Sequence, residues 1–166
     1  MSPRSRSRLF PFALAVALAG IAAGPAAAIV DESGRGPSAV SATPAPTRAG
    51  RAVKLALDAV GTPYRWGGES PSTGFDCSGL VRWAYGRVGV DLPHSSYALY
   101  SEGRRVRESG MEAGDILFFE GLGHVGLYLG RGRMVHAPQS GRTVEIVRLA
   151  ATNYGTRLIG ARRVAS

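Results

Sequence analysis

The stretch Gly74-Phe75-Asp76-Cys77-Ser78-Gly79-Leu80-Val81 decides how this chain is read. It holds the only cysteine in 166 residues, at a point where a turn passes into a helix. Gly74 punctuates the end of a loop, and Asp76 is of the type that caps helix N-termini. Leu80, Val81, Ala84, Tyr85 and Val88 then recur at three and four, one apolar helix face, with Gly89 as the stop signal. Cys77 therefore falls in the first helical turn, among free backbone N–H groups and at the positive end of the macrodipole. That setting favours thiolate, the nucleophilic form. The competing reading is a small buried hydrophobe with no chemistry.

Outward from this stretch, the N-terminal segment reads as an export signal. Arg4, Arg6 and Arg8 precede an apolar run from Leu9 to about Ala23, then Gly24-Pro25 and the small-residue site Ala26-Ala27-Ala28. Cleavage after Ala28 is expected. The run is short for a membrane span and is interrupted by Pro11, so no stable membrane insertion is expected after cleavage. No cysteine stands at the cleavage point, which argues against a lipid anchor. The alternative is an uncleaved N-terminal anchor. An exported chain with one cysteine has no intramolecular disulfide partner, so its thiol is free or bridges to another molecule.

Residues 29–47 are rich in Ser, Gly and Pro without apolar periodicity and read as a flexible linker. Residues 48–166 have the composition of one globular domain, long enough for one core. Removing the leader lowers the formal charge from +8 to +5, and Lys54 is the only lysine. This mild basicity comes without a basic helix, zinc-finger spacing or aromatic-plus-basic sheet motif, so no nucleic-acid partner is expected. A solvated basic surface on a monomer is the plainest reading.

Within the domain, Val53, Leu57 and Val60, with Ala56, mark a first helix face ending at Gly61-Thr62-Pro63. The loop from Gly61 to Gly68 is glycine-rich but lacks the Lys-Ser/Thr ending of a phosphate-binding loop. After the cysteine helix, Leu92-Pro93-His94-Ser95-Ser96 enters a short third helix through Ser101. Strands follow at 115–119, 124–129, 133–137, 143–149 and 158–164. Helices first and a strand meander later predict an α+β domain, its helices packed on a mostly antiparallel sheet of about five strands.

Two of the three histidines fall on one predicted hairpin. With a three-residue loop centred on Arg131, Gly126 opposes His136, and His124 and His136 become diagonal neighbours on one face. A two-residue loop would put them on opposite faces unless a bulge corrects the register. A thiol nucleophile needs a base to take its proton and a third group to orient that base, roles open to Cys77, His124 and His136. Two half-buried structural histidines, or a Cys-His-His metal site, are the alternatives. No HxxxH or CxxC spacing supports the metal. His94 reads as a surface or rim residue, with the lining of a cleft as the alternative.

Thr62-Pro63-Tyr64-Arg65-Trp66-Gly67-Gly68, Phe75 to Val81, Gly114 to Phe119, His124 to Gly130 and Met134-Val135-His136-Ala137 occur in that order. Together they resemble the NlpC/P60 family of bacterial cell-wall cysteine peptidases, a compact papain-like fold. The likeness runs from about Arg51 to Val164. Leu92 to Ser96 and the closing Ala161-Arg162-Arg163-Val164 are similar to the small MepS-type murein endopeptidases, which carry Arg where His94 stands. The resemblance implies a cofactor-free, metal-free endopeptidase acting on peptidoglycan stem peptides, in the periplasm or cell wall. It implies Cys77 as nucleophile, His124 as base and His136 as orienting residue. Tyr64 matches a family tyrosine near the nucleophile, and Asp76 and Ser78 match substrate-contacting positions. From the residues alone, Asp76 is an N-cap and Ser78 a first-turn serine. Trp66, Gly67 and Gly68 are expected to set the loop's shape. An amidase or acyltransferase on the same fold, or an idle wall-binding module, are the other functions to weigh.

Overall fold

A computed structural model of the chain describes residues 45–166. The leader and most of the linker lie outside the described residues. Among those described, no helix is long and apolar enough to cross a membrane.

Helix α1 (Arg48–Asp58) starts at Thr47, whose hydroxyl accepts a hydrogen bond from the Gly50 N–H at 3.0 Å. Its buried face is Ala49, Ala52, Ala56 and Ala59. Of the predicted face, Val53, Ala56, Leu57 and Val60, only Ala56 is buried, and Leu57 and Val60 are exposed. Close approach selects the methyls. A side chain on Gly114 would lie 2.7 Å from the Ala49 Cβ, so no residue larger than alanine fits that seam.

A small hairpin, β1 (Glu69–Ser70) with β2 (Gly74–Phe75), delivers the chain to α2 (Cys77–Gly86). Leu80, Val81, Ala84 and Tyr85 are buried as predicted. The helix closes earlier than expected, at Gly86, and Val88 is only partly covered; Gly89 takes φ +79° just beyond. Helix α3 (Ser96–Leu99) is capped by the Ser95 side chain.

Strands β3 (Arg104–Val106), β4 (Ile116–Phe119), β5 (Val125–Gly130), β6 (Arg133–His136) and β7 (Glu145–Arg148) follow. Helix α4 (Tyr154–Arg157) and strand β8 (Leu158–Arg163) close the chain. They form one antiparallel sheet in the order β3-β8-β4-β5-β6-β7. The α+β class stands. The sixth strand, β3, was not predicted because two of its three residues are exposed arginines at the sheet edge.

All four residues of β4 are buried because the sheet is covered on both faces. Ile116 and Phe118 join the core under α1 and α2, while Leu117 and Phe119 join a second core with Val106, Met134, Leu149 and Ala161. Arg163 fastens β8 to the start of β4 by donating from Nε and Nη2 to the buried Asp115 carboxylate, at 2.6 and 2.7 Å.

The hairpin that carries the histidines settles the register. Leu127 pairs Val135 and Tyr128 pairs Met134, the predicted alignment, but the loop is shorter than predicted. Gly130 pairs Arg133 across a two-residue turn, Arg131-Gly132, whose φ values are +54° and +68°. The register shifts between Tyr128 and Gly130, so a bulge restores what the shorter turn would have reversed. Gly126 then lies beside His136, where an added Cβ would meet Met134 Sδ at 2.9 Å, the Val135 carbonyl at 3.1 Å and His136 Cβ at 3.2 Å. Gly126→Val is therefore expected to lower stability by about 1–3 kcal/mol through overpacking, read as a fall in the denaturant midpoint. An unchanged midpoint would contradict this register.

Candidate active site

Asp76 is the N-cap of α2, 8% exposed, and its carboxylate is filled by donors. Oδ1 accepts from the Gly79 N–H at 2.7 Å, the Ser78 hydroxyl at 3.1 Å and His94 Nε2 at 3.0 Å. Oδ2 accepts from the Gly67 N–H at 2.8 Å. Ser78 is itself buried, its hydroxyl committed to Asp76. The glycines explain how this approach is possible. A Cβ on Gly79 would fall 2.0 Å from the Gly68 carbonyl, and one on Gly68 would fall 2.4 Å from that of Gly74. Gly67 and Gly68 do set the loop's shape. Trp66 does not, since its side chain is 86% exposed at the mouth of the cleft.

His94 takes the second of its two expected places, the lining of the cleft. It is partly buried in the cleft wall, with Nε2 on Asp76 and Nδ1 3.4 Å from Glu69 Oε2. Arg82 in turn pairs with Glu69 and donates from Nε to the Leu92 carbonyl. Nothing in the spacing of residues 69, 76 and 94 signals this cluster, because the β1-β2 hairpin creates it.

Cys77 is a free, half-buried thiol at the start of α2. Burial pushes its pKa up, and the Asp76 charge adds to this; the backbone N–H of Val125, with those of Ser78 and Cys77, pulls the other way and does not prevail. The expected preference for thiolate is thus reversed, because desolvation outweighs the helix terminus. Tyr64, partly buried against the same core, has its hydroxyl pKa raised by burial and then by Cys77 and Asp76. It remains a proton donor.

His124 and His136 lie on one side of the sheet, with His124 Nε2 2.8 Å from His136 Nδ1. The other nitrogen of His124, Nδ1, is left to act on a neighbour. Burial lowers the pKa of His124 to about 3, helped by His136 and Arg157. Burial and Arg142 lower that of His136, which is fully buried, to about 4. Tyr154 roofs the pair, which the sequence reading missed. Its ring stacks on His124 at 5.2 Å and meets His136 edge-on at 5.0 Å. Phe119 packs against both Tyr154 and His124. A lone tyrosine in a short helix 18 residues beyond His136 gives no signal in sequence.

A cleft of about 410 Å³ is lined by Tyr64, Asp76, Cys77, Ser78, His94 and His124, with Trp66 and Tyr97 exposed on it. Every predicted site residue lines it except His136, which stands behind His124. A protonated thiol, a neutral imidazole and a second imidazole behind it form a set suited to nucleophilic acyl transfer. Among the described residues, no group of three or more His, Cys, Asp or Glu is placed to hold a metal ion.

Residues 61–163 match the model of the NlpC/P60 family. The chain belongs to that family. Among curated NlpC/P60 relatives, it is similar to the murein DD-endopeptidase MepH of Escherichia coli, 37% identical over 126 residues, which cover 69% of this chain and 46% of MepH. It is also similar to the bifunctional muramidase/DL-endopeptidase CwlT of Bacillus subtilis, 42% identical over 95 residues, covering 54% of this chain and 29% of CwlT. The chain spans about half or less of the length of these relatives. The crystal structure of an NlpC/P60 family protein from Bacillus cereus superposes with a TM-score of 0.68 at 34% identity, covering 75% of this chain and 42% of that one.

Two pH effects follow from these shifts. Alkylation of Cys77 by iodoacetamide should climb only above about pH 9, the ordinary thiol value, and a fast plateau reaching down to pH 5 would contradict a neutral pair. Stability should fall as pH drops below about 6.5. There the unfolded chain binds protons that the folded histidines refuse until about 4 and 3. Thermal melts at pH 7 and pH 4.5 read this directly; equal midpoints would contradict it.

Proposed function

We propose that the protein is an exported cysteine endopeptidase that hydrolyses peptide bonds in peptidoglycan stem peptides or cross-links. The observation that carries this reading is the shared cleft of Cys77 and His124, with His136 hydrogen-bonded behind the latter. The names of the NlpC/P60 relatives supply the substrate class, and the basic-apolar leader supports export.

In this reading His124 Nδ1 takes the proton from Cys77 as the sulfur attacks the scissile carbonyl. The backbone N–H of Cys77 and the Tyr64 hydroxyl face the developing oxyanion. His124 then protonates the leaving amine, leaving a thioester. Water, deprotonated by His124, releases the acid and restores the thiol. Because the thiol begins protonated, proton transfer accompanies attack and the imidazole's tautomer becomes decisive. Asp76, held by four donors, shapes the cleft wall, and the exposed rim of Trp66 and Tyr97 is left to meet substrate.

Purified protein is expected to release muropeptides from sacculi, and Cys77→Ala to lose roughly 10³-fold or more of that activity. Mass analysis of products from defined muropeptides identifies the bond, the D-Ala–diaminopimelate cross-link or the D-Glu–diaminopimelate bond within a stem. Full activity in Cys77→Ala would sink the reading. Products cut between glycan and peptide would replace the endopeptidase by an amidase.

A further inference from the structure

The His136 ring has one nitrogen accounted for and one not. Nδ1 meets His124 at 2.8 Å, whereas Nε2 is buried with no hydrogen-bond partner. Its nearest charged neighbour is Glu145 Oε1, at 3.6 Å. This proximity is built into the sheet, since Glu145 on β7 stands directly opposite His136 on β6. The other carboxylate oxygen, Oε2, accepts from Arg142 Nη2 at 2.6 Å, which keeps Glu145 turned toward the ring.

We propose that Glu145 is a positioning residue for the histidine pair, holding the His136 proton on Nε2 so that His124 presents a bare Nδ1 to Cys77. A buried ring nitrogen without a partner costs free energy, and its sign of polarity matters beside a carboxylate. With the proton on Nε2, His136 directs an N–H at Glu145, and a small rotation of that side chain closes the hydrogen bond. With the proton on Nδ1, a lone pair faces the carboxylate and is repelled.

The choice propagates. If His136 Nδ1 is bare, it accepts from His124 Nε2–H, and the lone pair of His124 lies on Nδ1. If His136 Nδ1 carries the proton, it donates to His124 Nε2, and the His124 proton sits on Nδ1, where it blocks proton uptake. When His124 becomes an imidazolium by taking the Cys77 proton, its Nε2–H donor strengthens toward His136, and the Glu145 charge lies at the far end of the same line. Tyr154 closes the pair from above, so within this pocket the carboxylate is the group that decides the tautomer.

This inference rests on the assignment of Cys77 and His124 as reacting groups only for its kinetic half. Nitrogen-15 NMR of the histidine rings in the full chain at pH 7 reads the tautomer without turnover. His136 and His124 are both expected to be protonated on Nε2. Glu145→Ala should leave His136 as a mixture of tautomers and lower kcat roughly 10-fold or more, with KM within about twofold. Glu145→Gln keeps an acceptor oxygen and should restore both the tautomer and most of kcat. A wild-type His136 protonated on Nδ1 would overturn the proposal. So would loss of kcat in both variants with the tautomer unchanged, which would assign Glu145 to strand packing.

Discussion

Asp76 accepts hydrogen bonds from a helix start, a preceding loop and a histidine 18 residues later, and the cleft takes its shape from that carboxylate. Four donors meet it, three on Oδ1 and one on Oδ2. The site is a natural one for an anion, because the first turn of α2 has N–H groups to spare. The same charge sits one residue from the thiol and opposes its ionisation. The fold thus builds its cleft with a group that works against a standing thiolate. His124, which lines the same cleft, is kept neutral by its own burial and so retains a lone pair able to accept a proton.

Much of this was legible in the sequence, and the reasons differ by residue. The cysteine helix could be read because its cap and its apolar spacing are local properties, and the strands because short apolar or alternating runs bounded by turn residues are. The histidine pair needed one further inference, a register, and the correct pairing emerged although the loop length did not. Arg131-Gly132 is a two-residue turn, and the bulge beside it is invisible to a count of residues. The α1 face was misread because spacing ranks Val and Leu above Ala, whereas the seam against Gly114 has room only for methyls. His94 and Tyr154 escaped for a common reason. Each becomes part of the site through contacts set by tertiary structure, His94 through the β1-β2 hairpin and Tyr154 through the cover on the second face of the sheet.

That second face divides the surroundings of the cleft in two. One wall of the cleft is drawn from the loop before β1, the start of α2 and the approach to α3. The packing around His124 is drawn from elsewhere, from Phe119 and from residues 149–157, whose α4 is one short turn without a side-chain cap. Two surfaces of the molecule therefore carry separable inheritances. Substitutions along the back can shift the proton affinity of His124 while the front wall of the cleft stays as it is, and the front can change its lining without disturbing the histidine pair.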